Sequence, residues 1–192
     1  MAGNALQVLT LMRRLLLPIL AVLLFHSPAD AEETALALAV KAAYLVKIQP
    51  FATWPSESFA GPDAPFELCV AGRDPFGDVL DRAVAGQSAA GRAIAVRRLP
   101  ETTDVAGCQI VYLGISNPTI LRHTLDILRG RPVLTITDEA AEADMSGMIN
   151  FEVVDDRVRF AIDDDAAEES GLGISSKLLS LAVSVRHEGT RE

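Results

Sequence analysis

The sequence is poor in the residues that hold metal ions or act as nucleophiles. Only three histidines and two cysteines occur among its 192 residues. His123 and His187 lie far apart, and neither has a cysteine or another histidine at ligand spacing, so the pattern predicts no metal site. A C-x-x-C motif is missing, which excludes a thioredoxin-type redox motif.

Signatures of catalysis and of nucleotide binding are missing as well. The stretch Gly114–Pro118 lacks the second glycine of a nucleophile elbow. The turn Gly72–Gly77 lacks both the G-x-G-x-x-G and the G-K-[ST] patterns, which favours a plain strand-to-helix turn. Ligands of open α/β sheets do bind at the carboxyl ends of strands, so a small-ligand site near Gly72 to Phe76 stays open. We predict no catalytic residue, no metal and no cofactor.

Positive charge is scarce too. The chain carries 17 Lys and Arg against 26 Asp and Glu, a formal net charge of -9. Such a chain repels phosphate backbones, which argues against nucleic acid as a partner. The acidic run Asp163–Asp165, followed by Glu168 and Glu169, lacks the spacing of an EF-hand. Carboxylates are favoured at helix N-termini, so we interpret this run as the start of a helix.

Long apolar runs are limited to one, Leu15–Phe25, near the N-terminus. Arg13 and Arg14 precede it, and the small-x-small motif Ala29-Asp30-Ala31 follows. This order is typical of a secretory signal peptide, which we predict to be residues 1–31 with cleavage after Ala31. The run is short for a membrane helix, although an uncleaved anchor and a twin-arginine route remain alternatives. The mature chain is therefore expected outside the cytoplasm.

Strands alternate with helices over the remaining residues 32–192, which suit a single domain. Helices are predicted over Glu32–Ile48, Asp74–Val84, Asn117–Gly130, weakly over Glu139–Asp144, and over Asp165–Arg186 with a break at Gly171–Gly173. Strands are predicted over Phe66–Ala71, Ala93–Leu99, Cys108–Ile115, Pro132–Asp138, Gly147–Val154 and Arg157–Asp163. The last two flank Asp155-Asp156 as a hairpin. The expected fold is an α/β three-layer sandwich with a mostly parallel sheet and a C-terminal β-hairpin followed by a helix.

The two cysteines, Cys69 and Cys108, fall on predicted strands. Three interpretations are open: the two cysteines form a disulfide, one of them is a catalytic thiol, or both are buried free thiols. An oxidising compartment favours the disulfide. The register of the two strands decides whether their Cα atoms approach within the roughly 7 Å that a bridge requires.

Aromatic residues are few, and Trp54 is the only tryptophan. It follows Phe51 in the segment Lys41–Pro55, KAAYLVKIQPFATWP. Large aromatic residues after a helix commonly pack on a sheet, which favours the core. Interfaces are also enriched in such residues, so Tyr44, Phe51 and Trp54 are our candidates for a partner or dimer surface.

Several segments in order resemble the YfiR family of periplasmic proteins. They are KAAYLVK, FATWP, FELCVAGRDPFG, GRAIAVRRL, CQIVYLG, PVLTITD, SGMINF, RVRFAID and SGLGISSKLLSLA. The resemblance covers nearly all of the mature chain. No single segment is a catalytic signature, and the specificity comes from the occurrence of all of them in the same order.

The resemblance implies a three-layer α/β sandwich, often dimeric, without enzymatic activity. The best-known members repress an inner-membrane diguanylate cyclase by binding its periplasmic sensory part, which lowers cyclic di-GMP signalling and disfavours biofilm. Cys69 and Cys108 match one family cysteine pair by position. A second pair found in some members is missing around Ser146, which stands at the usual first glycine of its stretch. This departure weakens any redox-sensor role of the same kind.

The sequence therefore predicts a periplasmic regulatory protein that represses a membrane diguanylate cyclase. The alternative is a periplasmic small-ligand sensor that signals to a membrane kinase or transporter. A homodimer is expected from the resemblance.

Overall fold

The computed structural model describes residues 28–101, 105–138, 140 and 143–187. The features of the predicted signal peptide, Arg13, Arg14 and Leu15–Phe25, lie outside these residues. Residues 1–36 and 37–192 form two units. The sheet and its cores belong to the second unit, and cleavage after Ala31 stays a prediction.

The first helix, α1 (Pro28–Lys47), begins before the predicted Glu32. Its inward side is formed by Ala42, Leu45 and Val46, all of which are buried. A 3-10 turn, Gln49–Phe51, follows directly. Its proline, Pro50, disfavours helix at the residue before it, which explains where α1 ends. In the part of the chain that the structure describes, no helix is both long and apolar enough to cross a membrane.

A mostly parallel sheet forms the centre of residues 37–192, as predicted, and it has eight strands, two more than the sequence indicated. Its order is β10-β8-β7-β6-β5-β2-β4-β3, and β1 and β9 form a separate antiparallel pair. The strands are β1 (Ala52–Thr53), β2 (Phe66–Gly72), β3 (Ser88–Ala89), β4 (Arg92–Leu99), β5 (Ile110–Gly114), β6 (Leu134–Asp138), β7 (Ile149–Val154), β8 (Arg157–Asp163), β9 (Gly173–Ile174) and β10 (Ser184–Arg186).

Two helices lie in the connections between parallel strands, one after β2 and one between β5 and β6. The helix α2 (Asp78–Val84) starts later than the predicted Asp74. The helix α3 (Pro118–Leu128) is capped by Asn117, whose side chain accepts the N–H groups of Thr119 and Ile120. This cap is the interaction that the Asn-Pro pair predicts.

The predicted hairpin is confirmed. Strands β7 and β8 pair antiparallel, with Phe151 opposite Phe160. Asp155 and Asp156 form the turn, and both have positive φ angles, 50° and 58°. Two consecutive left-handed residues match the twist of a two-residue hairpin, and aspartate tolerates that conformation better than most residues.

The predicted long helix Asp165–Arg186 is wrong. The segment forms α4 (Asp164–Glu169), β9, α5 (Ser176–Leu179) and β10. Gly171 ends α4 with φ +73°, and the N–H of Leu172 donates to Ala167 O at 2.9 Å. This is the hydrogen bond of a Schellman cap, which glycine favours. The predicted weak helix over 139–144 is in part outside the described residues, and a 3-10 turn covers Ala143–Met145.

Each face of the sheet has its own hydrophobic cluster. The larger cluster includes Leu45 of α1, Phe66 and Leu68 of β2, and Phe151 of β7. The smaller one, on the other face, contains Cys69 and Cys108 with residues from β5 and α3. Alternate residues of a strand point to opposite faces, so the near-continuous apolar run of β2 and β5 supplies both clusters.

Candidate functional site

The structure joins Cys69 and Cys108 in a disulfide, with Cα atoms 5.9 Å apart. Cys69 lies opposite Val111 in the parallel register of β2 and β5. Cys108 lies just before β5 begins, and the N–H of the next residue, Gln109, donates to Glu67 O of β2 at 2.9 Å. Both cysteines are buried, at 0% and 2% exposure.

Trp54 packs on the larger cluster with part of its surface exposed. Its indole meets the ring of Phe66 edge to face, with centroids 5.0 Å apart. The indole Nε1 donates a hydrogen bond to the backbone oxygen of Gln109 at 3.0 Å. Buried indoles commonly find such a partner, so the core interpretation accounts for these contacts.

Gln109 connects the backbone segments around Trp54 by hydrogen bonds, and the sequence analysis did not identify it. It is 2% exposed. Its Oε1 accepts the N–H of Glu67, while its Nε2 donates to Ser58 O at 2.6 Å and to Gly107 O at 3.2 Å. Its position directly after Cys108 gave no signal, because a buried glutamine cannot be told from an exposed one in one sequence.

Tyr44 and Phe51 are half-buried against the same cluster. The ring of Tyr44 meets Phe160 edge to face at 5.5 Å, and the ammonium of Lys177 lies 5.5 Å from the Phe51 ring centroid. We refer to Tyr44, Phe51 and Trp54, which all pack against the larger cluster, as the aromatic band. Each ring keeps a partly exposed side, so its assignment to a partner or dimer surface stays a prediction.

The crevice that holds ligands in doubly wound sheets is closed in this protein. The order β4-β2-β5-β6-β7 reverses direction between β2 and β5, and ligands commonly bind at the carboxyl ends of strands at such a point. Here the N–H of Arg73 donates to Gly114 O at 2.9 Å. A Cβ placed on Gly72 would lie 2.7 Å from that oxygen, and one on Gly114 only 2.0 Å from Arg73 O. The two glycines let the backbones meet directly.

The turn after β2 also uses its own amide donors. The carboxylate of Asp74 accepts the N–H groups of Phe76 and Gly77, which a bound phosphate would otherwise need. Arg98 donates to the second oxygen of Asp74 at 2.7 Å. Burial by itself would raise the pKa of Asp74, but these hydrogen bonds outweigh it and lower the pKa. The hydrogen bonds of this turn therefore stabilise the fold and leave these amide groups without a role in ligand binding.

A buried ion pair at the same end of the sheet was not foreseen. Lys41 of α1 places its ammonium 2.6 and 2.8 Å from the two carboxylate oxygens of Asp138, at the end of β6. The side chain of Lys41 is 7% exposed. Tyr112 donates to Asp138 at 3.3 Å, and burial, followed by the charge of Asp138, raises the pKa of its phenol. Lys41 and Asp138 are 97 positions apart in the sequence. A single sequence does not show which residues so far apart will form an ion pair.

The acidic run at α4 behaves as a helix start. Asp163 caps the helix by accepting the N–H of Ala166, and it also pairs with Arg186 at 2.7 Å. Asp164 is buried, and His187 Nδ1 lies 3.5 Å from its Oδ2. Burial, followed by the charge of Glu168, raises the pKa of Asp164. In the described part of the chain, no group of three or more His, Cys, Asp and Glu side chains is arranged to hold a metal ion.

One cavity of about 420 Å³ lies between α3, α4 and the start of β7. Its walls combine apolar side chains, among them Leu128 and Met148, with the carboxylates of Asp165 and Glu169. A cavity of this size and mixed lining suits a small amphipathic molecule.

A model of one protein family, described as YfiR/HmsC-like, matches residues 38–183. The match starts inside α1 and ends just before β10. It includes the disulfide, the aromatic band, both glycines of the closed crevice and the hairpin.

Proposed function

The chain belongs to the YfiR/HmsC-like family, and from this membership we propose that it binds and represses the periplasmic part of an inner-membrane diguanylate cyclase. The observation that carries the proposal is the extent of the match, which takes in most of residues 37–192. The family is regulatory and periplasmic. We propose that this member, too, is a regulator without catalytic activity and without a cofactor.

The proposed mechanism is stoichiometric binding. A bound regulator stabilises the inactive state of the cyclase, and the shift in activity is limited by its differential affinity for the two states. The signal peptide of residues 1–31 delivers the regulator to the side of the membrane opposite the cyclic di-GMP pool. Regulation therefore depends on export of the chain.

We assign the contact with the membrane protein to the aromatic band, Tyr44, Phe51 and Trp54. Two observations support the assignment. Aromatic side chains with one side packed and one side exposed contribute strongly to interfaces. Tyr44 is also held by the ring of Phe160, and Trp54 by the ring of Phe66 and the backbone oxygen of Gln109, so these two side chains lose little conformational entropy on binding.

Affinity isolation from membranes tests this function. The complete chain carries a C-terminal tag, is exported by its predicted signal peptide, and is cross-linked in cells before the membranes are solubilised. We expect capture of a membrane protein with a diguanylate cyclase domain. Phe51→Glu should reduce capture at least tenfold, and the matched control Ile127→Glu, at an exposed apolar residue of α3, should not. Equal capture by Phe51→Glu and by the unchanged chain would remove the aromatic band from the proposal.

The cavity supports a second candidate, a small-ligand sensor for a membrane kinase or transporter. A ligand that binds the native state and not the unfolded chain raises the melting temperature, and the rise grows with the logarithm of the ligand concentration relative to its Kd. Thermal shifts against a library of small amphipathic molecules therefore test this function. A kinase or transporter gene beside the coding sequence favours the sensor, and a cyclase gene there favours repression.

A further inference from the structure

The cavity between α3, α4 and the start of β7 is lined in part by apolar side chains. Leu125 and Leu128 come from α3, Met148 precedes β7, and Ala166 comes from α4. Leu128 and Met148 are buried, at 2% and 5% exposure. The volume of about 420 Å³ lies within the range of small-molecule sites, which are lined mostly by apolar groups. This part of the lining suits an apolar body such as an alkyl chain.

Two buried hydroxyl groups belong to the same lining. Thr135 and Ser170 are 3% and 4% exposed. The hydroxyl oxygen of Thr135 accepts the N–H of Met148 at 3.0 Å, and that of Ser170 accepts the N–H of Gly130 at 3.2 Å. Among the hydrogen bonds of the described residues, neither hydroxyl acts as a donor. A hydroxyl has one proton and two lone pairs, so each keeps a lone pair and a proton with which to contact a bound molecule.

The charged groups of the lining are mostly acidic. The cavity is lined by four carboxylates and two guanidinium groups, a formal charge of -2, from Asp144, Asp163, Asp165, Glu169, Arg129 and Arg186. Arg186 is paired with Asp163 at 2.7 Å, and Arg129 with Asp126 at 3.3 Å. An anionic ligand would therefore have to compete with these pairs, whereas a cation is attracted by the excess of negative charge.

We propose that this cavity binds a small molecule that carries an ammonium group on an apolar body. The apolar body packs on Leu128 and Met148. The ammonium group lies against the carboxylates of Asp165 and Glu169, which are four residues apart and therefore share one side of α4. Its three N–H donors also match the lone pairs of the buried hydroxyls. The proposal names the ligand class of the small-ligand sensor and in that sense rests on the second candidate function.

Three probes with the same six-carbon chain and different head groups test the charge of the ligand. At pH 7, hexylamine is a cation, 1-hexanol is neutral and hexanoate is an anion. The exported chain, purified from cells, is titrated with each probe while its amide resonances are followed by two-dimensional NMR. We expect hexylamine to bind in the millimolar range, because it is a small ligand, and about fivefold more tightly than hexanoate.

The same spectra locate the bound probe. The amide resonances of Gly147, Ala166 and Ser170, which line the cavity, should shift with the hexylamine concentration. The indole N–H resonance of Trp54, which belongs to the aromatic band, should not shift.

Two matched double variants test the carboxylates. Asp165→Asn with Glu169→Gln removes two charges from the lining of the cavity. The control, Asp155→Asn with Glu168→Gln, removes two exposed charges outside it. Both variants change the net charge equally, so long-range attraction is matched. The first should weaken hexylamine binding about fivefold and leave 1-hexanol binding unchanged, and the control should change neither.

Several results would overturn the proposal. They are hexanoate binding as tight as hexylamine binding, resonance shifts confined to residues outside the cavity, equal hexylamine binding by the two double variants, and no binding of hexylamine. The sensor function is tested separately, because it also requires that the ligand change the contact with a membrane protein. Selective hexylamine binding that leaves the capture of membrane proteins unchanged would uphold the ligand class and remove only the sensor function.

Discussion

At the scale of single residues, Gln109 connects several backbone segments that surround Trp54, although no motif singled it out. Its side chain bonds the backbone of β2, of the 3-10 turn Ser56–Ser58 and of the loop before β5. Its backbone oxygen holds Trp54. The disulfide at Cys108 lies next to it in the chain. The buried amide of Gln109 therefore organises the backbone on which Trp54 packs.

Gln109→Ala should destabilise the protein more than Trp54→Phe. The first change leaves the N–H of Glu67 and the carbonyl of Ser58 without their partner, and each unsatisfied buried group costs about 1–3 kcal/mol. The second removes one indole hydrogen bond, about 1 kcal/mol. Urea denaturation followed by circular dichroism measures both. An equal loss in the two variants would contradict the role given to Gln109.

Asp74 and Asp164 should change stability in opposite directions at neutral pH. The pKa of Asp74 is lowered below its ordinary 3.8, so its charge stabilises the fold above that pH and the contribution is lost in acid. The pKa of Asp164 is raised above 3.8, so the folded state binds its proton more tightly and its charge opposes folding at neutral pH. Asp74→Asn should lower the free energy of unfolding at pH 7, and Asp164→Asn should raise it.

Both differences should shrink as the pH falls toward 3, where the unchanged carboxyls become protonated in the unfolded chain. Thermal melts of the two variants at pH 7 and pH 3.5 provide the comparison. Asn at position 74 still accepts the N–H groups of Phe76 and Gly77, so its effect reports mainly the lost charge interaction with Arg98. A pH-independent difference for either variant would show that the ionised carboxylate is not the cause.

At the scale of elements, local signals predicted what local interactions determine. The Asn-Pro start of α3 and the Asp-Asp turn of the hairpin were read correctly, because a cap and a two-residue turn depend on neighbours in the chain. The C-terminal segment was misread as a helix. Its apolar spacing fits one helical face, but the cap at Gly171 ends α4, and pairing with β8 makes Ser184–Arg186 a strand.

Contacts between distant elements left no local signal. Whether Cys69 and Cys108 meet depends on the register of β2 and β5, and the sequence left that register open. The closed crevice depends on two glycines from different turns, Gly72 and Gly114. The attachment of α1 to β6 depends on Lys41 and Asp138. Such pairs are set by tertiary packing, which one sequence does not reveal.

Lys41→Met should cost about 3 kcal/mol, because it leaves the carboxylate of Asp138 without its buried cation. The value lies at the lower end of the usual range because the Asp138 side chain is 21% exposed and partly solvated. Adding Asp138→Leu should recover most of the loss, since an apolar pair replaces the ion pair. Lys47→Met, an exposed lysine of the same helix, should change stability by less than about 0.5 kcal/mol. Denaturant unfolding measures all three, and an additive double variant would contradict the coupling.

At the scale of the whole molecule, the sheet is a rigid frame with clusters on both faces and a closed ligand crevice. Its partly exposed features include the aromatic band and a side cavity. A frame of this kind suits a protein that acts by contact with others. Family membership indicates regulation, and the structure provides surfaces on which the contacts can be tested.

The disulfide contributes to the rigidity of this frame by closing a loop between positions 39 residues apart. The double variant Cys69→Ala, Cys108→Ala should lower the free energy of unfolding by about 2–4 kcal/mol. Reduction of the unchanged chain with dithiothreitol should produce a similar loss, and the double variant should not respond to the reductant. A stability that does not change on either treatment would contradict a structural role for the bridge.

Cellular cyclic di-GMP tests the central claim most directly. It is measured in a strain without the coding sequence, in the same strain with the complete chain restored, and with a form that lacks residues 1–31 as the control. The account predicts a rise on deletion that the exported form reverses and the unexported form does not. An unchanged level, with the protein shown to be expressed and exported, would contradict repression of a diguanylate cyclase.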